Sequence, residues 1–285
     1  MPLWPGMAPD AQPTPGPETV EVKNQVGGRP WVGVENVSQP TLTVYSPQGQ
    51  NTGAAIVVFP GGGYIDLAID LEGTEVCDWL VAKGISCVLL KYRVPYSGPH
   101  YERGCDCEKD AKAPMALEDA QRTLGLVRLH SAEWHIDPHK IGVLGFSAGG
   151  HLVADISTHW EKRLYAHVDA ADEQSCRPDF GVALYPGHLL EKTTHEFELN
   201  PTVPVTSKTP PQFLLQSVND PVDPINNSLV YFIALQKAGV PVEYHAYAAG
   251  GHAFGLRPTE LPITGWPRLV EDWLREIGMI AGAKT

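Results

Sequence analysis

The run Lys140-Ile141-Gly142-Val143-Leu144-Gly145-Phe146-Ser147-Ala148-Gly149-Gly150-His151-Leu152-Val153-Ala154-Asp155 passes from an apolar, β-rich segment, through Gly-Phe-Ser-Ala-Gly, into a helix-compatible one. A strand, a sharp turn and a helix in that order lift a serine hydroxyl clear of the backbone. The glycines on either side have a steric purpose, because a serine at such a turn needs neighbours whose Cβ would not meet the incoming strand or the outgoing helix. With 28 glycines in the chain, a Gly-x-Ser-x-Gly pentapeptide also arises from composition alone. Its setting, and the partners found elsewhere, decide the reading.

Outward from this turn the chain alternates strand and helix patterns. Residues 54–59 are continuously apolar, as a strand buried on both faces must be, and end at Pro60-Gly61-Gly62-Gly63-Tyr64. A helical pattern over 71–82, closed by Gly84, leads to a second buried strand over 85–92, and two buried strands joined through a helix imply a parallel sheet. Further helices are expected over 114–134, after Ser147, over 225–237 and over 265–277, with strands over 181–185, 212–218 and 242–247. Thr19–Val26 and Thr41–Tyr45 read as an antiparallel pair at one sheet edge. Residues 1–17 carry six prolines and read as an extended surface arm. The long polar segment 186–210 reads as a cleft wall outside the core. The fold class is therefore α/β: one doubly wound, mostly parallel sheet with helices on both faces, as a single domain over 1–285.

Bulk properties narrow the function. Net charge is −12 with no basic block, so a phosphate backbone would be repelled and no nucleic-acid partner is expected. The longest apolar runs are strand-sized, far short of the roughly 20 residues of a membrane span, so no membrane partner is expected either. The start of the chain lacks the basic and apolar regions of a signal peptide; a soluble protein is expected, secreted or periplasmic if a leader has been removed. Five cysteines form no CxxC pair, which indicates neither a zinc site nor a redox motif. Cys77 and Cys87 are read as buried free thiols, while Cys105 or Cys107 could reach Cys176 in a loop disulfide.

A serine hydroxyl needs a base, and the base a carboxylate that fixes its tautomer. Of 11 histidines, His252 in Gly250-Gly251-His252-Ala253-Phe254-Gly255 follows the last strand on a glycine-rich loop suited to project an imidazole. Asn219-Asp220-Pro221-Val222-Asp223 follows the strand before it. Asp220 at the strand tip is the preferred acid, and Asp223, near the next helix, has N-capping as its alternative role. The order Ser147, Asp220, His252 is that of α/β-hydrolases. Oxyanion donors are expected from the amide of Ala148, at a helix N-terminus, and from the glycine turn. His151, Asp155 and His159 fall at i, i+4 and i+8 on one helix; such spacing is common by accident among many histidines, and no metal or other cofactor is expected. Tyr64, Tyr92 and Tyr185 stand at strand exits, where they contact substrate in the cleft or pack in the core.

The PGGGY turn, Lys91-Tyr92-Arg93-Val94-Pro95, GFSAGG, NDPVD and GGHAFG, in this order and spacing over nearly the whole chain, resemble α/β-hydrolases of the hormone-sensitive-lipase-like and carbohydrate-esterase group, acetylxylan esterases among them. Pro60 stands where lipase-like members carry a histidine, and this departure resembles the carbohydrate-esterase branch. The resemblance implies Ser147, Asp220 and His252 as triad, Gly62, Gly63 and Ala148 as oxyanion donors, and a serine esterase that removes small acyl groups, acetate foremost, from a small-molecule ester or acylated polysaccharide. A short-chain or feruloyl esterase, a peptidase of the same fold and a hydrolase-fold binding protein stay open as alternatives.

Overall fold

Gly27 and Gly28, at φ 56° and 76°, make a two-residue turn that pairs β1 (Thr19–Val26) with β2 (Arg29–Glu35) antiparallel. Positive φ at both central residues is what the right-handed twist of a tight hairpin asks for. This local pairing displaces the expected one between Thr19–Val26 and Thr41–Tyr45. The computed structural model describes residues 1–94, 97, 100–102, 107–109, 114–191 and 197–281. After the hairpin come β3 (Thr41–Tyr45), β4 (Ala55–Phe59), β5 (Asp66–Ala68), a π-helical turn (Asp70–Thr74), α1 (Glu75–Ala82) and β6 (Ser86–Lys91). The chain continues through β7 (His100–Glu102), β8 (Cys107–Lys109), α2 (Met115–Leu129), β9 (Ile141–Phe146), α3 (Ala148–Thr158) and β10 (Gly181–Leu184). It closes with β11 (Gln212–Ser217), α4 (Asn226–Lys237), β12 (Val242–Tyr247) and α5 (Trp266–Glu276).

Seven strands form the main sheet in the order β12-β11-β10-β9-β4-β6-β3, parallel except for β3 at one edge. Alternate residues of each strand serve opposite layers. On β4, Ala55, Val57 and Phe59 pack with α2, α3 and α4, whereas Ile56 and Val58 pack with α1 and α5. The central parallel strands β4, β9 and β10 are apolar throughout for this reason, whereas the edge strand β12 carries Glu243 and His245. β5 joins the hairpin in a separate three-stranded sheet, order β1-β2-β5, which brings β2 beside the glycine turn that follows β4. No helix among the described residues is long and apolar enough to cross a membrane.

The N-terminal arm forms no helix, in keeping with its prolines, but it is not a loose surface strand. Leu3 and Trp4 are buried, and Pro2 makes a bridge to Thr41 at the sheet edge. Trp4 Nε1 donates to Asp119 Oδ1 at 2.8 Å, and the guanidinium groups of Arg93 and Arg122 lie over its ring, 5.9 and 5.6 Å from the centroid. Asp119 also receives the buried Arg93, which bonds Glu118 as well. A charged cluster of this kind needs every partner in place, since removing one strands the others without solvent. Composition alone did not distinguish a bare arm from one nailed down by a single tryptophan.

The segment 186–210 likewise departs from expectation: Leu189 and Val203 belong to the core, and the amides of Leu189 and Leu190 both donate to Asn227 Oδ1. Cys77 and Cys87 are not free thiols but a disulfide between α1 and β6, with Cα atoms 5.2 Å apart. Both side chains belong to the same buried layer, so the short turn between helix and strand brings them face to face. Cys176 is a buried free thiol; Cys105 lies outside the described residues. Replacing Trp4 by Ala is expected to cost about 3–5 kcal/mol of stability, from the cavity and the stranded cluster together, as read by urea unfolding; a loss below about 1 kcal/mol would show that the arm is a passive appendage.

Candidate active site

Ser147 occupies the turn between β9 and α3 at φ 52° and ψ −120°, a conformation that costs an L-residue of order 1–3 kcal/mol. Its surroundings impose it. The Ser147 amide donates to Leu184 O at 3.0 Å, tying the turn to β10, and its carbonyl accepts from the amides of His151 and Gly187. Strand and helix approach so closely that a Cβ on Gly145 would lie 2.1 Å from Gly149 O, and one on Gly149 would lie 2.1 Å from Phe59 O. The parallel strands end on one edge of the sheet, and the loops that leave them there gather around this serine.

The loop after β12 supplies His252. Asn219 Oδ1 accepts from the amides of Gly250 and Gly251 at 2.9 and 3.0 Å, and Ser217 Oγ donates to Gly251 O, so the histidine loop is held by the loop after β11. His252 Nε2 lies 2.9 Å from Ser147 Oγ, and its Nδ1 lies 2.7 Å from Asp220 Oδ2. The Asp220 side chain is fully buried, and its other oxygen accepts from the amides of Val222 and Asp223. Asp223 has a different position: its Oδ2 accepts from Ser147 Oγ at 3.4 Å and lies 3.8 Å from His252 Nε2, on the side of the imidazole away from Asp220. Burial by itself would lower the His252 pKa; the Asp220 hydrogen bond and the charges of Asp223, Asp220 and Glu72 outweigh it and raise it above the ordinary 6.5.

The glycine turn after β4 lies across from the histidine. Gly62, at φ 134°, would bring a Cβ within 2.0 Å of Asp66 O, and its own carbonyl accepts from the amides of Ile65 and Asp66. Gly61 N–H is taken by Glu72 Oε2 at 2.8 Å, whereas the amides of Gly62 and Gly63 donate to no group among the described residues and line the cleft beside Ser147. The amide of Ala148, at the first position of α3, has no acceptor within its helix.

Glu72 is a site residue that sequence reading missed, since an acid in a helical pattern looks like a solvated charge. It is buried, and besides Gly61 it accepts from Tyr185 Oη at 2.8 Å; Tyr185 Oη in turn accepts from Gly255 N–H, and its ring sits edge-on to the His252 imidazole. Burial raises its carboxyl pKa, against the Tyr185 hydrogen bond and the charge of His252. Arg257 extends the network. It is buried, bonds Glu75 at the start of α1, and donates to the carbonyls of Val26 and Arg29 that flank the hairpin turn.

Tyr64, Tyr92 and Tyr185, expected at the cleft or in the core, take the core position and do not line the cleft. All three are buried beneath the site, with hydroxyls bonded to His151 Nδ1, Pro60 O and Glu72 respectively. An aromatic ring at a strand exit packs inward here because helices and loops cover those exits. His151 and Asp155 approach each other, Nδ1 to Oδ2 at 3.4 Å, but the three do not make one ligand set: His151 Nδ1 meets Tyr64 Oη, and His159 Nδ1 turns back on the Asp155 carbonyl. No group of three or more metal-ligating side chains could hold an ion among the described residues. The cleft over Ser147, about 510 Å³, is lined instead by Trp31, Ile65, Leu71 and Val222 with the polar Asp223 and His188. The first four lie on the hairpin, in the turn after β4, in the π-helical turn after β5 and in the loop after β11, where nothing in their spacing marks them.

The model of the BD-FAE family matches residues 42–185, just over half of the chain, from β3 to the residue after β10. The chain belongs to the BD-FAE family. Within the α/β-hydrolase esterases, its BD-FAE match includes the glycine turn and Ser147 and stops short of Asp220 and His252. The solved acetyl ester-xyloside bifunctional hydrolase of Caldicellulosiruptor lactoaceticus is similar over 86% of this chain and 91% of its own, at 37% identity and TM-score 0.73. An acetylxylan esterase of Xylanibacter ruminicola is 28% identical over 72% of this chain and 42% of its own length. The endo-1,4-beta-xylanase B of Butyrivibrio fibrisolvens is 26% identical over 80% of this chain and 36% of its own. The BD-FAE chain thus spans about two fifths of the length of these two curated relatives.

Because the folded pKa of His252 lies above the unfolded one, the imidazolium stabilises the fold fully below about pH 6.5, and this contribution disappears as pH rises through the folded value. In NMR titrations His252 is expected to change charge above 6.5, and Asp220→Asn to lower that midpoint. An unchanged or higher midpoint in the variant would mean that Asp220 does not hold the ring.

Proposed function

We propose that this protein is a serine carboxylic ester hydrolase that removes small acyl groups, acetyl foremost, from carbohydrate such as xylan. The single observation that carries the reading is the unbroken relay from Ser147 Oγ to His252 (2.9 Å) to the buried Asp220 (2.7 Å), at the floor of an open cleft. In this reading Ser147 Oγ attacks the ester carbonyl while His252 Nε2 takes its proton. Asp220 fixes the Nδ1–H tautomer and stabilises the imidazolium. The amides of Gly62, Gly63 and Ala148 receive the developing oxyanion, with the α3 dipole behind Ala148. His252 then protonates the leaving alcohol, and a water molecule activated by the same imidazole resolves the acyl-enzyme.

Strain at Ser147 supports the role, since a hydroxyl held at φ 52° has no rearrangement to make when the substrate arrives. Support for the carbohydrate comes from the relatives named for acetylxylan and for an acetyl ester with a xyloside. The part of the cleft beside Ser147, walled by the glycine turn and by Glu72, supports a small acyl group.

Ser147→Ala is expected to lower kcat on p-nitrophenyl acetate by about a millionfold, the scale of other nucleophile deletions, and to abolish labelling by a fluorophosphonate. Near-normal turnover in the variant ends the assignment to this serine. Asp220→Asn is expected to cost on the order of 10³–10⁴ in kcat, the scale of a lost tautomer lock; a larger loss at Asp223→Asn would exchange the two carboxylates. Rates compared on acetylated xylan, a feruloyl ester, short and long nitrophenyl esters and a peptide amide test the substrate: acetyl release from xylan should lead, and preference for the peptide or the long-chain ester would overturn the reading.

A further inference from the structure

Tyr185 follows β10 directly and stands at φ 38°, a left-handed conformation that a bulky side chain rarely adopts. Glu72 sits in a π-helical turn, closed by Thr74 N–H to Ile69 O at 2.9 Å and by Glu75 N–H to Asp70 O. Both conformations are uncommon, and both concentrate where a fold holds something in place for function. What the two residues share is a hydrogen bond, Tyr185 Oη donating to Glu72 Oε1 at 2.8 Å.

That bond is the middle of a longer bridge. At one end Glu72 Oε2 accepts from Gly61 N–H at 2.8 Å. Gly61 is pressed against the nucleophile: a Cβ there would lie 2.8 Å from Phe146 O and 3.0 Å from Ser147 Cβ. With its amide turned to Glu72, the next two residues, Gly62 and Gly63, are left to line the cleft. At the other end Tyr185 Oη accepts from Gly255 N–H at 3.2 Å, three residues past His252, and the Tyr185 ring lies edge-on to the imidazole with centroids 4.9 Å apart. Tyr185 is tied to the sheet by its own amide, which donates to Leu215 O at 2.7 Å. The glycine turn follows β4 and the histidine loop follows β12, strands separated in the sheet by three others, and the bridge spans the gap between them. A carboxylate is the group such a bridge needs. It accepts on both oxygens, whereas an amide side chain accepts at one end and donates at the other.

We propose that Glu72 and Tyr185 are positioning residues whose bridge sets the distance between the oxyanion donors and His252. Bound substrate makes little demand on that distance. In the transition state a negative oxygen rests on the glycine turn while an imidazolium forms on the histidine loop, so both must be in place at once. The proposal rests on the esterase reading above and couples its two halves.

The test uses p-nitrophenyl acetate as substrate and 1,1,1-trifluoroacetone as inhibitor, a ketone whose carbonyl Ser147 Oγ would attack to leave an oxyanion on the turn. Tyr185→Phe, which removes only the hydroxyl, should lower kcat by about 10–100-fold, the scale of a small misplacement of catalytic groups, with KM little changed. Inhibition by the ketone should weaken by a similar factor. Glu72→Gln should do the same, and Tyr185→Phe added to it should cost little more, since the bridge is already broken. Thermal unfolding reports whether each variant is folded; if Glu72→Gln is not, Tyr185→Phe carries the kcat and inhibition comparison. A folded Tyr185→Phe variant with kcat and inhibition near those of the unmodified protein overturns the bridge, even where its unfolding temperature falls. So does a double variant in which the two losses multiply. Either result leaves the esterase reading in place, whereas turnover that survives Ser147→Ala ends that reading and the bridge with it.

Discussion

The contact on which the site depends is between β9 and α3, where backbone meets backbone with no side chain between. Gly145 faces the Gly149 carbonyl, and Gly149 faces Phe59 O, at distances that exclude any Cβ. A helix that close to the sheet leaves its connecting residue a single path, and Ser147 takes it at positive φ. The strain is local, whereas the stabilisation that maintains it comes from strands β4, β9 and β10 locked on both faces by apolar layers. The hydroxyl's position is therefore a property of the whole sheet.

That dependence explains which features were legible in the sequence. Continuously apolar strands, glycine turns at their ends and a histidine on a glycine-rich loop follow from steric rules that act over a few residues. Asp220, just past its strand tip, lies 2.7 Å from His252 Nδ1, and Val242–Tyr247 begins and ends where its pattern does. The rest depended on contacts between distant segments. The Gly27-Gly28 turn was present to be read, yet the pairing of Thr19–Val26 went to the wrong partner because strand patterns carry no address. Trp31, Glu72 and Asn219 have ordinary local patterns and acquire their positions only when hairpin, helix and loops meet. The three tyrosines failed in the opposite sense: their place at strand exits was right, but the direction of the ring is set by what covers the exit.

Buried polar groups tie these separate loops together. One carboxylate, Glu72, bonds the glycine turn directly and the histidine loop through Tyr185. Asn219 does the same between the loops after β11 and β12 with a single side-chain oxygen. Such groups are satisfied only in one arrangement, which favours a unique site geometry over the looser set that apolar packing alone would allow.

Arg257 gives that coupling a further reach. Five residues after His252, it clasps the two carbonyls at the base of the turn that β2, and so Trp31, grows from. The wall of the cleft and the loop of the proposed base are thus also linked through one guanidinium. Lineages that reshape the hairpin to admit new alcohols would drag the imidazole with it, so in this scaffold selectivity and reactivity diversify as a linked trait, and a transplanted hairpin would have to bring its own clasp.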